Sequence, residues 1–171
     1  MRRAGFIAAA LLFLLALVSC GSRYASRAFG VSFTVPDTWG IEEDAASICF
    51  IAPAGTAGDT FMENVVYAGS VPLAGTGCAD LAAFADVMQE TASESSGYEA
   101  VSRERTELAG MEAVVFTYRC YSQPIETTIQ QRMYLLYDGT DAYTVVYTAT
   151  ADTFDQYADA ADSIAGSFRA K

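Results

Sequence analysis

Four cysteines and 21 carboxylates are the groups with which this 171-residue chain could do chemistry, and no histidine accompanies them. Its only lysine is Lys171. That inventory excludes Ser-His-Asp and Cys-His nucleophilic chemistry, histidine-ligated metals, Schiff-base lysines and a phosphate-loop lysine. It offers no catalytic residue and calls for no cofactor. Cys20 stands apart at the end of an apolar stretch, leaving Cys49, Cys78 and Cys120. An odd set permits at most one internal bridge. If residues 48–52 and 61–71 form a hairpin, the start of one run faces the end of the other. That favours a Cys49–Cys78 disulfide over a bridge through Cys120 or three buried thiols. No CxxC spacing supports a zinc site.

Carboxylates can hold a cation or cleave a glycosidic bond, but each needs a pattern. Glu42-Glu43-Asp44 has no calcium-loop spacing, and a solvated acidic loop is the simpler reading. Asp138-Gly139-Thr140-Asp141 reads as a turn. Aromatic residues are more suggestive. Tyr118, Tyr121, Tyr134, Tyr137, Tyr143 and Tyr147 gather in the last third of the chain. Tyr118, Tyr134, Tyr143 and Tyr147 form a candidate binding surface, because tyrosine joins an apolar body to a polar tip. Half-burial in a sheet is the competing reading, and strand alternation favours it by not placing all six on one face.

Charge is divided unevenly. Arg2 and Arg3 precede the first apolar run, and every acid lies beyond residue 36. Without residues 1–19, 8 basic groups face 21 acidic ones, a formal charge of −13. Such a body repels phosphate backbones, which argues against nucleic acid as a partner. The apolar run Phe6 to Val18 is short of the roughly 20 residues that a bilayer span needs. With its charged start, the segment 1–19 reads as an export signal rather than an anchor.

That segment ends in Leu17-Val18-Ser19-Cys20-Gly21, which resembles the lipobox of bacterial lipoproteins. The resemblance implies that Leu17, Val18 and Ser19 are read by the signal peptidase. It also implies that Cys20 carries a thioether-linked diacylglycerol and becomes the first mature residue. Palmitate-like acyl chains would then hold the protein on the extracytoplasmic face of the cell membrane. Residues 20–28 read as the lipidated cysteine and a polar tether of ~30 Å at full extension. Arg23 and Arg27 within it fit a solvated linker, or contact with anionic lipid heads.

Residues 29–171 read as one domain whose elements must position these groups. Strand patterns occupy 29–35, 48–52 and 61–71. Asp80 to Ser93 then changes to helical period, with Leu81, Phe84, Ala85, Met88 and Ala92 on one face and Gly97 beyond its end. Four strand patterns follow at 98–108, 111–121, 127–137 and 142–150. A last helix aligns Phe154, Tyr157, Ala161, Ile164, Ala165 and Phe168, with a capping box from Thr153 to Gln156. The fold class is α+β, a central, largely antiparallel sheet of about seven strands with two packed helices.

The ordered features resemble the PsbP-like family. Gly30-Val31-Ser32-Phe33-Thr34-Val35-Pro36-Asp37-Thr38-Trp39 resembles its opening, and Leu108-Ala109-Gly110-Met111-Glu112-Ala113 its central hairpin. Tyr143-Thr144-Val145-Val146-Tyr147 and Ile164-Ala165-Gly166-Ser167-Phe168 resemble its end. The family includes DcrB-type envelope lipoproteins and photosystem accessory proteins. The resemblance implies helices packed on an antiparallel sheet and a non-enzymatic accessory role with an envelope protein as partner. It also favours a structural place for Trp39, as a plug over the end of a sheet. A small-ligand carrier with an aromatic-lined pocket between sheet and helix is the alternative.

Overall fold

The computed structural model describes residues 21–55 and 61–171, and there the periods of the sequence become elements within three residues of the expected bounds. In chain order these are β1 (Gly21–Ser26), β2 (Val31–Pro36), β3 (Gly40–Glu43), β4 (Ile48–Ile51), β5 (Asn64–Pro72) and α1 (Leu81–Ser93). They continue with β6 (Glu99–Leu108), β7 (Met111–Ser122), β8 (Thr127–Tyr137), β9 (Asp141–Thr150), α2 (Phe154–Gly166) and β10 (Arg169–Ala170). Seven strands form one sheet in the order β3-β4-β5-β9-β8-β7-β6, and three form a smaller one, β1-β2-β10. Every pairing is antiparallel. The α+β class and the two helices are as expected, but membership of the sheets is not. The strand expected at 29–35 leaves the central sheet for the small one, and β3 takes its place.

A second correction concerns residues 20–28. Gly21–Ser26 is not a tether but the edge strand β1, paired along its length with β2. Tyr24 sets its ring edge-on to Phe50 at 5.9 Å, and the Tyr24 and Ser26 hydroxyls both donate to Glu43 on β3. The run looked like linker because Tyr24 is its one large apolar side chain, too little for a strand pattern. The folded domain therefore begins at Gly21 among the described residues.

Alternation along the strands makes two cores. Val114, Phe116, Tyr118 and Leu135 pack beneath Leu81, Phe84, Ala85 and Ala92 of α1. The opposite face meets α2 and the small sheet, where Phe33, Phe50, Tyr67, Tyr147 and Phe168 are fully buried. Trp39 plugs the rim of this second core, edge-on to Tyr157 at 6.0 Å. Asp80 caps α1 by accepting from the Ala83 N–H at 2.8 Å. Gly97, at φ +66°, makes the left-handed reversal that leads into β6. The capping box expected at Thr153 is absent. Thr153 has helical dihedrals, not the extended ones that aim a cap side chain at the backbone, and its hydroxyl donates to Glu63 instead.

The β8–β9 hairpin turns on Asp138, whose Oδ1 accepts from the N–H groups of Thr140 (2.8 Å) and Asp141 (2.9 Å). Tyr143 donates to its Oδ2 at 2.6 Å. That phenol bond, with the backbone N–H groups behind it, holds the Asp138 carboxyl below its ordinary 3.8. A depressed folded value means stability that is present above 3.8 and lost as pH falls through the lower folded value. Tyr143→Phe is accordingly expected to lower the urea midpoint at about pH 6, with the gap to the parent narrowing below about pH 4. A gap independent of pH would show that the bond does not carry the shift.

Candidate functional site

A groove of about 460 Å³ opens between α2 and β6, beside the point where Gly166 of α2 stands against Leu108 of β6. One wall is β6, through Ser102, Glu104 and Thr106, and the other is Asp162 on α2. Its floor is Thr117, Arg132 and Tyr134 from the neighbouring strands β7 and β8. Arg132 and Tyr134 are two apart on one strand and so share a face. They converge on one carboxylate. Arg132 Nη1 lies 2.8 Å from each Asp162 oxygen, and the Tyr134 hydroxyl donates to Oδ1 at 2.5 Å. Arg132 also donates from Nε to the Thr117 hydroxyl at 3.3 Å, and its guanidinium carbon lies 5.2 Å from the centre of the Phe154 ring.

Electrostatics follow from that convergence. Burial opposes the charge on Arg132 most strongly of any single influence, but the Asp162 hydrogen bond and charge together with Tyr134 outweigh it and hold the guanidinium above its ordinary value. Burial, then the Asp162 bond, pushes the Tyr134 phenol far above its ordinary value. Each donor is thus committed to a structural partner. The site can present fixed charge and hydrogen-bond acceptors to something docking from outside.

Above the groove runs the long free edge of the sheet. Nine of the ten residues of β6 are exposed, and among the described residues no strand pairs with its outer side. Its backbone groups there face solvent. Charges line it, Arg103 paired to Asp86 at 2.6 Å and Arg105 to Glu112 at 2.8 Å. Such side chains blunt indiscriminate strand pairing while leaving the edge open to a matched partner.

The four candidate tyrosines do not form a binding surface. Tyr118, Tyr134, Tyr143 and Tyr147 are 5%, 2%, 6% and 0% exposed. Alternation divides them, Tyr118 going to the α1 core and the other three to the α2 core. Their polar tips are satisfied internally, Tyr147 by the Phe154 carbonyl at 2.7 Å and Tyr118 by Gln131. Burial pushes the Tyr118 phenol up to about 12. Only Tyr134 touches the groove.

Nor does the structure form the expected Cys49–Cys78 bridge, for Cys49, Cys78 and Cys120 are all free thiols. β4 is short and pairs with the first half of β5, placing Cys49 opposite Val66. β5 runs on from that rung to Pro72, roughly 20 Å at strand spacing, before the chain reaches Cys78. Burial raises the thiols of Cys49 and Cys120, which keeps them protonated. Glu43 and Asp44 are structural, the first held by Tyr24 and Ser26, the second closing its own turn on the N–H groups of Ala46 and Ser47. Leu17, Val18, Ser19 and Cys20 lie outside the described residues.

Two features escaped sequence reading. The Arg132–Tyr134–Asp162 cluster left a trace, since Arg132 falls on the same strand face as Tyr134 and Leu136 and Asp162 stands off the α2 stripe. Glu63 left none. It is 1% exposed, accepts from Thr153 at the start of α2, and sits where a carboxylate complements the positive end of a helix.

No family model matches the chain, and no curated protein does. Solved structures match it in shape. The chain is similar to the cyanobacterial PsbP, CyanoP, of Synechocystis sp. PCC 6803, with TM-score 0.58 and 15% identity over 90% of this chain and 94% of that one. It is similar to LpqN of Mycobacterium tuberculosis, a protein involved in cell envelope biogenesis, with TM-score 0.58 and 17% identity over 86% and 83%. It also resembles PA94, a Pseudomonas aeruginosa protein of unknown function, with TM-score 0.56 and 18% identity over 82% and 90%. At these identities the likeness speaks for the fold: the domain is PsbP-like.

Proposed function

We propose that this chain is a DcrB-type lipoprotein, anchored through Cys20 on the extracytoplasmic face of the membrane, whose PsbP-like domain is a non-enzymatic accessory module for an envelope protein. The observation that carries the module reading is β6, a ten-residue edge strand exposed along almost its whole length beside a groove with a charged floor. An extended segment of a partner can add to that edge and rest side chains in the groove. The anchor is supported by Leu17-Val18-Ser19-Cys20. The likeness to CyanoP and to LpqN agrees with a role of this kind. A body of formal charge −13 favours a partner with a basic face. A small-ligand carrier has less support, because its aromatic lining is core and the groove floor is ionic.

Photocrosslinking in cells tests both halves. A crosslinker at Thr106, on exposed β6, is expected to give one reproducible protein adduct, and one at exposed Gln156, on α2, none. Equal adducts at both positions, or none at Thr106, would remove the module reading. Metabolic labelling with an alkyne fatty acid is expected to mark the parent chain and not Cys20→Ala. Label that survives this substitution would remove the anchor.

A further inference from the structure

Eight basic residues follow residue 20, and the fold sorts them into two groups. Arg103, Arg105, Arg119 and Arg132 stand on the central sheet, each with a carboxylate at 2.6, 2.8, 3.9 and 2.8 Å respectively. Arg23, Arg27, Arg169 and Lys171 belong to the small sheet and its turn. All four are exposed, and among the described residues none has an ion-pair partner. In a domain with 21 acids, four unpaired cations on one element are not a matter of composition.

Topology gathers them. β1 and β10 flank β2, with Arg23 opposite Thr34 and Arg169 opposite Ser32. On β2, Val31, Phe33 and Val35 enter the core, so Ser32 and Thr34 face away from it and carry Arg23 and Arg169 with them. Lys171 continues the row, its N–H bonded to the Gly30 carbonyl at 3.0 Å, and Arg27 stands in the turn that closes the hairpin. Arg23, Arg169, Ser32, Thr34 and Ser167 line a shallow depression of about 360 Å³. Arg23 Nη2 reaches Ser32 Oγ at 3.1 Å, and Arg169 Nη1 donates to the Phe168 carbonyl at 2.5 Å, so each guanidinium is anchored on the small sheet without a carboxylate. No acidic side chain occurs from Gly21 to Pro36 or after Asp162. The acids that touch β1 are already engaged, Asp37 by Ser22 and Glu43 by Tyr24 and Ser26.

We propose that this outer face of the small sheet lies flat against anionic phospholipid headgroups. The inference rests on the lipidation of Cys20, one residue before β1. From there the strand carries its cations across the bilayer surface, Arg27 falling roughly 20 Å away. Guanidinium forks and the exposed Thr34 hydroxyl suit phosphodiester oxygens. Attraction of this face and repulsion of the acidic remainder turn the domain the same way, so the surface charge of the membrane sets its orientation.

Because Lys171 is the only lysine, one amine reports on the face. The lipidated full chain is reconstituted into phosphatidylcholine vesicles, with or without a third of phosphatidylglycerol. A sulfonated amine-reactive ester is added, and Lys171 is read by peptide mass spectrometry. Labelling is expected to be about fivefold slower on the anionic vesicles and to recover in about 0.5 M NaCl. Arg23→Gln/Arg169→Gln is expected to abolish most of that protection. Equal labelling on both vesicles, with the protein co-floating, would overturn the docked face and leave the anchor standing. Absence of diacylglycerol on the Cys20 peptide, with no flotation, would instead overturn the anchor. Protection on phosphatidylcholine by inorganic phosphate alone would replace the lipid surface with a small-anion site.

Discussion

Phe168→Ala is expected to lower the unfolding free energy by about 3–5 kcal/mol, as for other fully buried aromatic truncations. Phe168 stands where three parts of the fold meet. Its ring lies 5.3 Å from Phe33 of the small sheet, and 5.9 Å and 4.9 Å from Tyr67 and Tyr143 of the central sheet. It is fully buried and follows α2 directly. The void left by truncation is walled by two sheets, which cannot both collapse into it without breaking their register. Against a total stability on the order of 5–15 kcal/mol, such a loss moves the urea midpoint a long way. Equilibrium unfolding by circular dichroism measures it. A loss under about 1 kcal/mol would mean that the small sheet does not depend on this contact.

Asp162→Ala is expected to cost about 2 kcal/mol. Removal of the carboxylate leaves the Tyr134 hydroxyl, almost wholly buried, without its acceptor, and Arg132 without its counter-ion. Asp162 is itself 47% exposed, so water reaches part of the vacated site and the cost stays below that of a fully buried pair. Asp162→Asn, which keeps an acceptor, is expected to recover about half. A double-mutant cycle with Arg132→Met apportions the pair and the phenol. The three substitutions should also weaken crosslinking at Thr106 before they unfold the domain, since the cluster lines the groove. Normal crosslinking by a folded Asp162→Ala would separate the cluster from partner docking.

Legibility in the sequence followed the strength of the local period. α1 and the strands from β6 to β9 emerged nearly to the residue, because each alternates or repeats over ten or more positions around Gly97, Gly110 or Asp138-Gly139. β1, β3 and β10 did not, since Gly-Ser-Arg-Tyr-Ala-Ser, Gly-Ile-Glu-Glu and Arg-Ala bury little, and β10 pairs with a strand at the other end of the domain. The tyrosines allowed two readings, and the one that strand alternation favours, burial against the sheet, is what the structure shows. Their polar tips suggested a surface, yet the acceptors that let them sink into the core, such as the Phe154 carbonyl and Asp162, come from α2, which no strand pattern reveals. Cys49–Cys78 failed because composition fixes neither the length of β4 nor the rung at which it meets β5.

The sheet is also a ruler. From β3, clasped by Tyr24 and Ser26 of β1, six inter-strand steps of about 4.8 Å lead to β6, roughly 29 Å across. With β1 starting one residue after Cys20, there is no slack to pay out. A lipid at Cys20 would fix not only which compartment the free edge serves but its standoff, about 3 nm from the point of attachment. Partners would be selected by where their strands lie as much as by what those strands contain, and a few flexible residues inserted after Cys20 would blur that selection without altering a single contact inside the domain.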